Sequence, residues 1–75
     1  HIDVIKLDIE GSELAALQGA EQLIRRDTPR LWVCVYHTPT HLHEIPLFIH
    51  RVRPDYRITF RHSGNNPMDA YVFAE

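Results

Sequence analysis

The chain has 75 residues, of which 44% are hydrophobic and 24% charged, with a formal net charge of −2. That is enough chain for one small domain, and without a basic excess nothing draws it to nucleic acid or an anionic membrane surface. No run approaches the roughly 18 apolar residues of a membrane helix, and a single cysteine, Cys34, excludes an internal disulfide framework. Cys34 sits in an apolar run and reads as a buried thiol in a reducing, cytoplasmic compartment.

Residues 2–9 (I-D-V-I-K-L-D-I) are rich in β-branched residues and too short for a helix, so they read as a strand ended by Gly11. Ser12 is the expected N-cap of a helix, and Glu13 sets negative charge at its positive end. Leu14, Leu17, Leu23 and Ile24 recur at helical spacing with Ala15, Ala16 and Ala20 between them. Arg25 and Arg26 suit the negative end, and Pro29 stops the helix. Residues 30–37 (R-L-W-V-C-V-Y-H) form a second strand whose unbroken apolar run suits burial on both faces. A turn around Pro39 leads to a second helix over 41–52, with Ile45, Phe48, Ile49 and Val52 on one face and Pro46 early enough to be tolerated. Pro54-Asp55 is a turn, residues 56–62 alternate as a third strand, Ser63–Pro67 is a loop, and 69–74 is a last strand.

The order β-α-β-α-β-β implies a mixed four-stranded sheet. Strands joined by helices run parallel, and the last two, joined by a short loop, run antiparallel. Right-handed crossovers that keep moving one way put both helices on one face and leave the other bare. An α/β sheet is normally covered on both faces. Together with a start at His1 that runs at once into a strand, this leads us to expect a partial domain. The bare face also leads us to expect self-association, as a symmetric homodimer.

The segment V-I-K-L-D-I-E-G-S-E (4–13) resembles the signature of the FkbM-type methyltransferases, in which a strand ends in an acidic D-[VI]-E-G-x-E element that opens a helix. The matching residues are Asp8, Ile9, Glu10, Gly11 and Glu13. Leu17, Gly19 and Ala20 in L-x-G-A, Y-H-x-P at 36–39, E-I-P at 44–46 and R-H at 61–62 continue the likeness in order along nearly the whole chain. The resemblance implies the C-terminal half of a Rossmann-like class I methyltransferase fold, strands four to seven, with the last strand antiparallel beside the fifth. It implies a parent enzyme that passes a methyl group from S-adenosylmethionine to a hydroxyl of a sugar or natural product. Near the end the chain departs from the family, with Met68-Asp69-Ala70 where an acidic-Thr pair is common. The glycine-rich turn and the ribose-binding acid of such folds are absent, since glycines occur only at 11, 19 and 64. The isolated chain is therefore expected to bind no cofactor and to be inactive alone.

Asp8 and Glu10 fall at the carboxyl end of a strand predicted to be parallel, the edge where α/β sheets bind ligands. A carboxylate there could take or polarise a hydroxyl proton; the plainer alternative is a loop carboxylate stabilised by the helix dipole. His37 ends the next strand at the same edge, and His62 ends the third. Either could serve as a base near neutral pH or be a strand-end histidine bonded to backbone. Asp8, Glu10, His37 and His62 are thus the candidate catalytic residues, with Glu13 read as a helix-terminus charge. Six histidines raise the question of a metal, but His41 and His43 fall on different helix faces and no Cys-x-x-Cys pair occurs, so none is expected. Trp32 and Phe48 read as core, and Arg51 and Arg53 as a solvated helix end. A different class of reading is a truncated remnant that folds and associates without catalysis.

Overall fold

The computed structural model describes residues 1–62 and 70–75, His62 by its backbone alone. The loop expected at Ser63–Pro67 and residues Met68 and Asp69 lie outside the described residues. Four strands and three helices follow in the order β1 (Val4–Leu7), α1 (Glu13–Gly19), α2 (Glu21–Asp27), β2 (Arg30–Cys34), α3 (His41–Val52), β3 (Ile58–His62) and β4 (Ala70–Ala74). The sheet order is β1-β2-β4-β3. β1 and β2 pair in parallel, and β4 is antiparallel to both β2 and β3. The last strand therefore slots between β2 and β3, so β3 runs parallel to β2 without touching it. The mixed α/β sheet is the one anticipated.

The first helix is not continuous. It divides into two seven-residue helices at Ala20, whose backbone leaves helical geometry (φ −101°, ψ 11°). The Ala20 amide is shared between the Ala16 and Leu17 carbonyls, both at 3.1 Å. Gly19 sits at this joint with nothing within 4 Å of where a Cβ would stand. Its helix penalty of about 1 kcal/mol is thus not offset by any close packing, and the chain breaks there. Ser12 precedes α1 but makes no side-chain cap bond, contrary to expectation. Pro46 lies well inside α3 rather than in its first turn, so the Leu42 carbonyl has no helical donor.

One core fills the space between the helices and one sheet face. Leu17, Ile24, Ile45, Phe48, Ile49 and Val52 from the helices meet Leu31, Val33, Val72 and Ala74 from the central strands. Alternation follows the pleat: Leu31 and Val33 are buried, while Trp32 between them is half-buried on the opposite side. Trp32 therefore does not join the core as expected. On the other face its ring meets Tyr71 edge-on (5.6 Å) and Phe73 at a tilt (5.0 Å), with Lys6 Nζ 4.5 Å above it. No helix of the described residues lies over this face. An open groove of about 440 Å³ remains there, lined by Arg30, Thr59, Arg61, Tyr71 and Phe73. The one-sided sheet deduced from connection handedness is the sheet observed.

Two polar ties close the end of the sheet away from the loops after β1 and β2. The Tyr56 hydroxyl donates to the Pro29 carbonyl. The Asp27 carboxylate, 6% exposed, accepts the Ile2 amide at 2.9 Å and the Arg26 guanidinium at 2.9 and 3.2 Å. Its bond with Arg26, then the Ile2 amide, holds its pKa at about 2 against a usual 3.8. A carboxylate with a depressed folded pKa contributes stability that is complete above the unfolded pKa and lost as pH falls through the folded one. Acid unfolding followed by circular dichroism should accordingly show stability draining away from about pH 4 down to about pH 2. Asp27→Asn should flatten that slope, and an unchanged slope would assign it to other carboxylates.

Candidate active site at the carboxyl edge of the sheet

Parallel pairing of β1 with β2 brings the segments that follow them to one edge. The turn after β1 is built on two consecutive residues with positive φ, Glu10 (56°) and Gly11 (106°). Glycine suits the second position for a further reason: a Cβ on Gly11 would lie 3.3 Å from Thr38 Oγ1, in the loop after β2. A non-glycine residue at φ 56° carries strain, and such positions collect at functional sites. The tight turn aims two amides at the start of α1. Ile9 N–H donates to Glu13 Oε2 at 2.9 Å, and Gly11 N–H to Oε1 at 3.0 Å.

Glu13 is completely buried. Burial alone would push its carboxyl up. The amides of Ile9, of Glu13 itself and of Gly11, together with nearby His37, outweigh that and hold it below the usual carboxylate range. His37 Nδ1 lies 3.0 Å from Glu13 Oε2, and its Nε2 lies 3.6 Å from Asp8 Oδ1. His41, 5% exposed, turns Nδ1 toward Glu13 Oε1 at 3.7 Å without making a hydrogen bond. The Tyr36 ring stacks at a tilt on His37, 4.1 Å between centroids. Beneath the site, burial and then the Asp8 carboxylate push the Cys34 thiol up to about 11, which makes it an inert packing group.

Of the residues singled out in the sequence, Asp8 and His37 meet. Asp8 is half exposed and His37 mostly covered. Glu10 points into solvent and, among the described residues, has no polar partner. The backbone of His62 pairs with Ala70 at the same edge, two strand spacings of about 4.8 Å beyond β2; its side chain lies outside the described residues. Glu13 and His41 are the residues that sequence reasoning undervalued. A signal existed for each. Glu13 stands one helical turn before Leu17, on the inward face of α1, and His41 stands one turn before Ile45, on the inward face of α3. His43 is exposed, so the two histidines do part as their spacing required.

Asp8, Glu13 and His37 each present one ligand atom, all within 4.8 Å of one another. Glu13 Oε2 already serves both the Ile9 amide and His37, so a cation would compete with the imidazole for that oxygen. As for a nucleotide-like cofactor, its phosphate-free grip would need a glycine-rich turn and an acid for the ribose. The glycines here are isolated at 11, 19 and 64. The residues present do not fit that role. They place two carboxylates and an imidazole together at the carboxyl edge of the parallel strands.

The methyltransferase FkbM domain matches residues 1–63 of the chain. The chain belongs to the FkbM methyltransferase family. A crystal structure of a methyltransferase FkbM from Methylobacillus flagellatus KT is similar at 40% identity with a TM-score of 0.88, over 96% of this chain. The chain spans only 19% of that protein's chain. No curated protein matches. The residues at the FkbM sheet edge, Asp8, Gly11, Glu13 and His37, all fall within the matched stretch. Among the described residues no helix is long and apolar enough to cross a membrane.

Proposed function

We propose that this FkbM segment forms the acceptor side of an S-adenosylmethionine-dependent O-methyltransferase site, acting on a hydroxyl of a sugar or natural product, and that the segment alone is inactive. The observation that carries the reading is the meeting of Asp8 and His37 at the carboxyl edge of parallel strands, 3.6 Å apart. That edge is where open α/β sheets take ligands. A hydroxyl becomes a competent nucleophile when its proton is drawn away, and a neutral imidazole flanked by carboxylates can accept that proton and be stabilised as the cation. The residues of this segment orient the hydroxyl, accept its proton and disfavour water behind the Tyr36–His37 stack. Gripping the cofactor falls to elements outside this sequence, because its glycines and acids do not form the required turn.

The reading predicts that Asp8→Asn, in the intact methyltransferase that contains this segment, lowers kcat by about 10-fold or more while stability stays within about 0.5 kcal/mol, because Asp8 is half exposed and the change keeps its shape. Steady-state kinetics beside a thermal melt make the test. Normal turnover in a folded variant would remove Asp8 from the site.

A further inference from the structure

A fully buried carboxylate is costly unless every lone pair it turns inward has a donor. Glu13 has two backbone donors that come from its own turn, which would suffice for a structural role. A third partner, His37 Nδ1 at 3.0 Å, comes from the loop after β2, 24 residues away. An ionised carboxylate can only accept, and its low pKa keeps Glu13 ionised. Nδ1 must then carry the proton. The opposite tautomer would set a nitrogen lone pair 3.0 Å from a carboxylate oxygen, which is repulsive. With Nδ1 protonated, the neutral ring leaves Nε2 as a bare lone pair, on the side of Asp8 Oδ1 at 3.6 Å, beyond hydrogen-bond reach.

We infer that Glu13 is a positioning residue: its buried carboxylate holds His37 in the Nδ1–H tautomer, so that Nε2, on the side of Asp8 at the sheet edge, is the proton acceptor. The catalytic meaning of this pair rests on the methyl-transfer reading above; the tautomer does not. In the step it serves, the acceptor O–H bond breaks, its electron pair stays on oxygen, and the proton forms the new Nε2–H bond. The imidazolium so formed lies between two carboxylates, Glu13 at one nitrogen and Asp8 at the other. His41 buttresses the far oxygen of Glu13 at 3.7 Å without claiming it, which leaves the carboxylate free to serve His37.

The test reads the ring directly. In long-range ¹⁵N–¹H spectra of the intact methyltransferase that contains this segment, ¹⁵N-labelled at histidine and held at alkaline pH, His37 should show Nδ1 as the protonated nitrogen and Nε2 as the bare one. The reverse pattern, or an averaged one, overturns the role of Glu13. Glu13→Gln should move the pattern toward Nε2–H, and an unmoved Nδ1–H signal in that variant overturns it as well. Should the variant fail to fold, the wild-type pattern still decides. In the intact enzyme Glu13→Gln should lower kcat by on the order of 10²-fold with KM nearly unchanged, the split expected for lost proton transfer and not for lost binding. A reversed tautomer counts against Glu13 whatever the enzyme does. A full-speed His37→Gln enzyme, beside an Nδ1–H tautomer in the wild-type protein, counts instead against the methyl-transfer reading.

Discussion

His37→Gln in the intact methyltransferase is expected to reduce kcat by about 10²–10⁴-fold, the usual contribution of a positioned general base. Glutamine is close in length and can still donate to Glu13, so the buried carboxylate keeps a partner and the fold keeps its edge. It has no basic nitrogen, so the acceptor proton has nowhere to go. The loss should fall on kcat and leave substrate affinity largely intact, because a general base as proposed acts on the transferring proton and not on the resting complex. It should also shrink at high pH, where hydroxide or an ionised acceptor relieves the need for a base. Single-turnover rates measured across pH check this. A profile that keeps its wild-type shape and height would place the base elsewhere, with His62 the next residue to test.

The largest effect on stability is expected at Leu17. Leu17→Ala should cost about 2–5 kcal/mol, because the side chain is fully buried between α1 and the sheet and its removal leaves a cavity that helices packed on only one face can collapse only in part. Domains have roughly 5–15 kcal/mol in all, and one this small sits near the bottom of that range. The variant should therefore be substantially unfolded at 37 °C. Urea denaturation is the measurement, with Leu47→Ala as the comparison. Leu47 is 64% exposed on the outer side of α3, and its removal should shift stability by about 0.5 kcal/mol or less. Equal losses at the two positions would mean that the core lies elsewhere.

The same contrast between inward and outward positions explains what could be read from residue order. The span of α3 agrees with its sequence limits because Ile45, Phe48, Ile49 and Val52 recur at helical spacing between a turn at Pro39 and one at Pro54. The alternation of β2 was legible in part. Leu31 and Val33 were assignable to one side, but that side's partner was not, and Trp32 went to the bare face instead of the core. The break at Ala20 was missed because the apolar spacing of Leu14, Leu17, Leu23 and Ile24 continues across Gly19, while the backbone does not.

What the sequence determined by itself about this FkbM segment was its elements, the parallel sense of β1 and β2 with helices on one face, and the placing of Asp8 and His37 at one edge. Those follow from local periodicity and the handedness of connections, which act over a few residues or one crossover. Placing the last strand beside β2 needed the family likeness, since strand pairing depends on which edge is left open and not on the strand's own pattern. Only the tertiary structure decided the fate of Glu13. As a residue in a sequence it is a charge at a helix start, which belongs in water. Its burial became tolerable because a left-handed turn at Glu10 and Gly11 aims two amides at it, and because a loop 24 residues away sets His37 against it. Whether a carboxylate is a surface charge or a buried acceptor depends on the donors that reach it, and here the His37 donor arrives only when β1 and β2 pair.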